Sequence, residues 1–316
     1  MPKPRLSFVM EQFLLDILAG ASPAGVVDLC LDHRLVADTQ TGAPFAPWTS
    51  IGGLSDWLDL EVLSISGHPL EQVAGLPPLP HLRQLCLSLN ALENLQGFPE
   101  LPALEALDLS HNLLTALDGL PALPRLHTLD LGHNHVRSTD WLAHYPTLRH
   151  LTLSGNRGIR SLDGIGGLQA LESLFLRQCF VVDWAALRGL SHLSELAISP
   201  GSADGLAVLG SLPQLTTLHV QAKGLHGHLE LPPLPHLRSL HIVGGTGLQA
   251  ITGLRGAPGL TRLGLRGNGL TEVPDLKGLA ELKFVDLSDN PLQNRAGLAG
   301  LGPNVELRLV NTGGRA

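Results

Sequence analysis

The sequence predicts an α/β solenoid, a stack of short coils that each add one strand to a single parallel sheet. Three observations carry that expectation. The stretch LEALDLSHNLLTALDGLPALP at residues 104–124 returns as LHTLDLGHNHVRSTDWLAHYP from Leu126, 22 residues further on. The period then persists, with the first apolar position of each copy at Leu60, Leu82, Leu104, Leu126, Leu148, Leu171, Leu193, Leu215, Leu237, Leu260, Leu282 and Asn304. Steps of 22 residues are broken only by two of 23, from Leu148 and Leu237. Third, the decapeptides LPPLPHLRQL at 76–85 and LPPLPHLRSL at 231–240 are nearly identical although seven copies apart.

In chain order, residues 1–59 read as an N-terminal cap and 60–316 as twelve repeats, the last truncated. Val9, Phe13 and Ile17, with Met10 and Leu14 beside them, have helical spacing, so an amphipathic helix over 7–19 is expected to close the first coil. A first irregular unit starts at Val26, with Leu29 and Leu31 in strand positions and an insertion at about 35–50. In Leu104-x-x-Leu107-x-Leu109 the last two leucines alternate at strand period and face inward. Leu114, Leu117, Leu120 and Leu123 then fill the core from the far side. The Asn at the ninth position (Asn90, Asn112, Asn134, Asn156, Asn268, Asn290) turns inward, where its amide can pair loop backbone groups. Prolines in segments such as LPALP and LPPLP exclude a regular α-helix, leaving extended or 3₁₀ chain. The last strand of LRLVNTGGRA has no comparable cap, which predicts a monomer or a weak homodimer through that open edge.

The motif Leu-x-x-Leu-x-Leu-x-x-Asn at this period resembles the leucine-rich repeats, in their 22-residue subclass. Bacterial internalins and the leucine-rich regulatory subunit of protein phosphatase 1 belong to it. The resemblance implies a right-handed leucine-rich repeat arc with a concave parallel sheet and extended or 3₁₀ convex segments. It implies nothing specific about function, because this scaffold hosts many unrelated ones.

Composition narrows the setting. Glu11, Gln12 and Asp16 interrupt the apolar run near the start, which disfavours a signal peptide. No stretch approaches a membrane-spanning length. Cys30, Cys86 and Cys179 have no framework spacing, so free thiols in a reducing, cytoplasmic compartment are expected, and the adhesive role of secreted internalins is not carried over. Four lysines against 17 arginines, with abundant Ala, Gly and Pro, suit a GC-rich bacterial genome. A net charge of −7 without a basic run argues against nucleic acid.

Function is sought at the third, fifth and seventh motif positions, which leave the sheet on its exposed face. Asp108, Asp130 and Asp286 in the LDLS-like stretches read as scaffold. Departures gather in the second half: Phe175 and Phe284 add aromatics, Arg177, Arg262, Arg266 and Arg308 add guanidinium groups, and His219 and His241 are cross-strand neighbours. Aromatic and arginine side chains anchor protein interfaces. Arg137 and Arg157 fall outside these columns. Residues 1–165 hold nine Lys+Arg against 17 Asp+Glu, and residues 166–316 hold 12 against 11, so the cationic groups favour an acidic partner. Gly201, Lys223 and Gly245 replace the ladder Asn, which predicts looser loops beside this surface.

Catalysis finds less support. The pairs His133/His135, His226/His228 and His219/His241 lack an evident third metal ligand, so neither a metal nor another cofactor is expected. Asp130, His150 and Ser154 on neighbouring strands have no pocket or oxyanion hole, and no nucleophile elbow, phosphate loop or HExxH occurs. The sequence therefore points to a non-catalytic protein-interaction scaffold binding through repeats from Leu171 to Asn304. An inhibitor or immunity factor for a toxin or enzyme is the alternative, with a metal-dependent enzyme using the histidines behind it.

Overall fold

The computed structural model describes residues 27–31, 51 and 54–313. The helix expected over 7–19 and the insertion at about 35–50 lie outside the described residues. The chain forms two compact units, Met1–Arg137 with His144–Thr152, and Ser138–Ala143 with Leu153–Ala316.

Among the described residues the first unit holds six three-residue strands: β1 (Asp28–Cys30), β2 (Val62–Ser64), β3 (Gln84–Cys86), β4 (Ala106–Asp108), β5 (Thr128–Asp130) and β6 (His150–Thr152). Each pairs in parallel with the next, and the register aligns Leu29, Leu63, Leu85, Leu107, Leu129 and Leu151. All six are buried, as the strand alternation predicts. Of the far-side leucines, Leu114, Leu117 and Leu123 are buried and Leu120 is half-buried.

The strands stop where the ladder asparagines begin. Asn134 donates from Nδ2 to the carbonyls of Leu109 (2.9 Å) and Leu131 (3.1 Å), and its Oδ1 accepts the Leu114 N–H at 3.0 Å. Asn112 repeats the pattern one coil earlier, on Leu87, Leu109 and Leu92. One side chain thus bonds three backbone groups at the turn, where strand pairing has ended. His68 occupies the same place at the head of the row, its Nε2 lying 2.7 Å from the Leu31 carbonyl oxygen. The residue before each ladder position is left-handed, with φ of 57° at Leu89, 55° at His111 and 56° at His133. That conformation costs a non-glycine residue about 1–2 kcal/mol, and the ladder bonds offset it.

The second unit repeats the design with more variation. Its main sheet runs β7 (Ser173–Leu176), β8 (Glu195–Ile198), β9 (Thr217–Gln221), β11 (Ser239–Val243), β13 (Arg262–Gly264), β14 (Phe284–Asp286) and β15 (Glu306–Arg308), parallel throughout. Asn156, Asn268 and Asn290 supply ladder amides. Cys179 stands in for one of them, its buried thiol donating to the Leu153 carbonyl at 3.2 Å. Burial pushes that thiol up to about 12, so it stays protonated and keeps the bond.

Behind the sheet, 3₁₀ helices form at Ile165–Gly167, Ala185–Gly189, Ala203–Ser211, Leu254–Gly256 and Ala296–Gly300. This is the expected short-helix and extended chain. A feature the sequence reading did not foresee is a separate parallel pair, β10 (His226–Glu230) with β12 (Gly247–Thr252). These extended segments follow one another in consecutive coils with no proline inside them, so their free backbone groups can pair. All three residues of β15 are exposed, and Val310 beyond it is 62% exposed. No helix of the described residues is long and apolar enough to cross a membrane.

Candidate functional site

The second unit's register places Phe175, Ala197, His219, His241, Gly264, Asp286 and Arg308 in one row across the exposed sheet face. The His219 and His241 rings stack with centroids 4.9 Å apart and planes 10° from parallel. Two residues without bulk flank them. Ala197 is fully buried on one side, and on the other a Cβ added to Gly264 would collide with His241 Nδ1. The imidazoles therefore sit low, and a recess of about 350 Å³ opens among Arg177, Gln221, Val243 and the two rings. Val243 is 43% exposed, an apolar patch beside a guanidinium group.

Burial is the main cause that pushes His219 down to about 4, with His241 and Arg177 adding repulsion. His241 is lowered too, by burial first, then Arg262 and Arg177, against an opposing pull from Asp286. Both rings are neutral at pH 7. Because the folded values lie below the unfolded one of about 6.5, the unfolded chain binds more protons between the two. Stability contributed by the pair is complete above that unfolded value and falls as pH drops towards 4. Urea midpoints between pH 7 and 4.5 are expected to fall less in His219→Gln than in the parent, and equal falls would refute the assignment.

Phe284 is not a bare anchor. Guanidinium groups from both neighbouring strands lie over its ring, Arg262 at 5.1 Å and Arg308 at 5.0 Å from the centroid. Arg308 also donates to Glu306 Oε1 at 2.8 Å, and Arg266 donates to Asp289 at 2.7 Å. Arg177 makes no ion pair among the described residues; its backbone N–H donates to Ser154 Oγ at 3.1 Å. Of the eight side chains singled out from sequence, Arg177, His219 and His241 line one recess. Arg262, Phe284 and Arg308 form a second cluster, Phe175 is half-buried at the head of the row, and Arg266 is engaged with Asp289.

The remaining motifs fall to scaffold roles. Asp108, Asp130 and Asp286 each accept the N–H two residues on, at 2.7–2.9 Å. His133 stacks on His111 with centroids 4.3 Å apart. His228 Nε2 lies 2.8 Å from Thr252 Oγ1. No group of three or more His, Cys, Asp or Glu side chains among the described residues is arranged to hold a metal.

A larger cavity escaped the sequence reading. About 550 Å³ opens at the ends of β7, β8 and β9, among Arg157, Arg160, Phe180, Val182, Pro200 and Lys223. Two of the residues that replace the ladder Asn, Gly201 and Lys223, lie in its wall. Those losses were the available signal. Gly245 is a contrast, since its N–H is taken by Asn268 Oδ1 at 2.8 Å and the loop there is closed.

Residues 102–144 match the sequence profile "Leucine Rich repeats (2 copies)". The 22-residue period carries the same repeat through both units. The chain has the leucine-rich repeat fold. The fold is shared with an internalin (inlF) of Listeria monocytogenes at 16% identity and a TM-score of 0.58, covering 96% of this chain and 90% of that one. A leucine-rich repeat protein of Leptospira interrogans aligns at 21% identity and 0.51, covering 93% and 98%. TLR13, solved as a complex with ssRNA13, aligns at 23% and 0.52 over 81% of this leucine-rich repeat chain, which spans 46% of that protein. At such identities the likeness is one of fold. No curated protein matches the chain in sequence. Leucine-rich repeat arrays commonly serve as protein-interaction scaffolds.

Proposed function

We propose that this leucine-rich repeat protein is a non-catalytic scaffold that binds a protein partner on the exposed sheet face of its second unit. The observation that carries the reading is the recess over the neutral His219–His241 stack, rimmed by Arg177 and the exposed Val243. An apolar patch beside a guanidinium with no ion-pair partner among the described residues favours a partner that brings an acidic group next to an apolar side chain. The Arg262–Phe284–Arg308 cluster extends the same face towards β15. Cys86 and Cys179, which form no disulfide among the described residues, suit a cytoplasmic protein.

Affinity capture with the purified chain, followed by binding measurements on the recovered partner, tests this. Reversing Arg177 and Arg266 to Glu is expected to weaken the complex more than reversing Arg137, which lies in the first unit. Phe284→Ala removes the platform for two guanidinium groups and should cost about 2 kcal/mol of binding. A partner that binds these variants as tightly as the parent would move the site off this face. Edge-to-edge association of two β15 strands predicts a mass in light scattering that rises with concentration, and a constant monomer mass removes it.

A further inference from the structure

We propose that the cavity at the ends of β7–β9 is a second binding site, which takes an apolar side chain of an acidic peptide segment. It goes beyond the sheet-face reading and shares only Gln178 and Gln221 with that recess.

The site exists because the ladder is interrupted. Where Asn134 ties down three backbone groups, Cys179 donates one bond, and the next two coils carry Gly201 and Lys223 with no ladder amide at all. The loops do not close over, and the apolar chain after Cys179 is left in the open. Phe180 is 53% and Val182 75% exposed, although the Val182 N–H is fixed to the Arg160 carbonyl at 3.0 Å. With Pro200 they form one apolar wall. A volume of about 550 Å³ exceeds what one bulky side chain needs, and the cavity is partly open to solvent.

Charge selects the occupant. Arg157, Arg160 and Lys223 stand on the walls, and no carboxylate is among the described lining residues. Arg160 lies over Phe180, 5.6 Å from the ring centroid, and none of the three makes an ion pair among the described residues. Elsewhere in the same unit Arg255, Arg266 and Arg308 each hold a carboxylate at 2.5–2.8 Å. Three cations around an apolar pocket suit an aliphatic or aromatic side chain flanked by Asp or Glu. A bare phosphate would leave the apolar wall wet, and a nucleic acid strand would want successive stacking rings where Val182 and Pro200 stand.

Selection of a phage-displayed library of random 12-residue peptides on the purified protein tests the site. Enrichment of peptides with a bulky apolar residue next to Asp or Glu is expected, bound about ten-fold more weakly by Arg160→Glu and by Lys223→Glu. Both positions are surface side chains, and Arg157→Glu serves as a third variant should either fail to fold, with circular dichroism as the control. The sheet-face variant Arg177→Glu with Phe175→Ala should hold the same peptides within about two-fold. Loss in the sheet-face variant alone would assign the peptides to the face and overturn this site while leaving the function proposed above intact. An empty selection, enriched peptides without acidic residues, retention by the cavity variants, or displacement by a single-stranded DNA 12-mer would each overturn it as well.

Discussion

Leu129→Asp is expected to unfold the first unit. Leu129 is 1% exposed and sits between Leu107 and Leu151 in the strand register. A carboxylate there has no cation and no donor to pair with, and an uncompensated buried charge costs about 3–5 kcal/mol. That is a large part of the ~5–15 kcal/mol by which domains are stable at all. In a stack each coil is held by its neighbours, so the loss spreads beyond β5. Circular dichroism and urea denaturation read it directly. A variant with the parent's spectrum and midpoint would contradict the placement of these leucines.

Asn134→Ala, like Asn112→Ala, should be among the most damaging substitutions of a polar side chain in that unit. It leaves the Leu114 N–H without its acceptor, an orphan that costs about 1–3 kcal/mol, and takes one donor from each of the Leu109 and Leu131 carbonyls. Asp130→Ala is the matched comparison, because it removes one bond to the Gly132 N–H from a half-buried side chain, worth about 1 kcal/mol. Urea midpoints should therefore fall much further for Asn134→Ala than for Asp130→Ala. Equal falls would mean that the ladder amide does no more than a surface cap.

What could be read from the residues divides along a physical line. Strand leucines and ladder asparagines announce themselves because every coil meets the same problem, a buried column and a turn with unpaired backbone. Repetition turns that problem into a pattern. His68 and Cys179 solve it with other chemistry, so a motif written with Asn passes over His68 and registers Cys179 only as a substitution. The β10–β12 pair depends on two extended segments meeting in space, which no single repeat reveals. Site residues were harder still. Position alone placed Phe284 on the exposed face, yet its contact with two guanidinium groups depends on rotamers of side chains two strands apart. Phe180 and Val182 look like ordinary filler after a ladder position, and only the failure of the following loops to close leaves them exposed.

The reach of the ladder has a consequence for how such a chain changes over generations. Asn112 and Asn134 bond within their own coil and to the coil just before it. Excising one whole period rejoins a donor to an equivalent acceptor, so recombination between repeats yields a gene product whose internal bonds are already matched. The near-copies at 76–85 and 231–240, seven periods apart, have the similarity on which unequal crossing-over acts. Most such exchanges would leave the scaffold foldable and merely longer or shorter. The coils with Gly201 and Lys223 are different: gaining or losing one would reshape the wall of the proposed cavity in a single step.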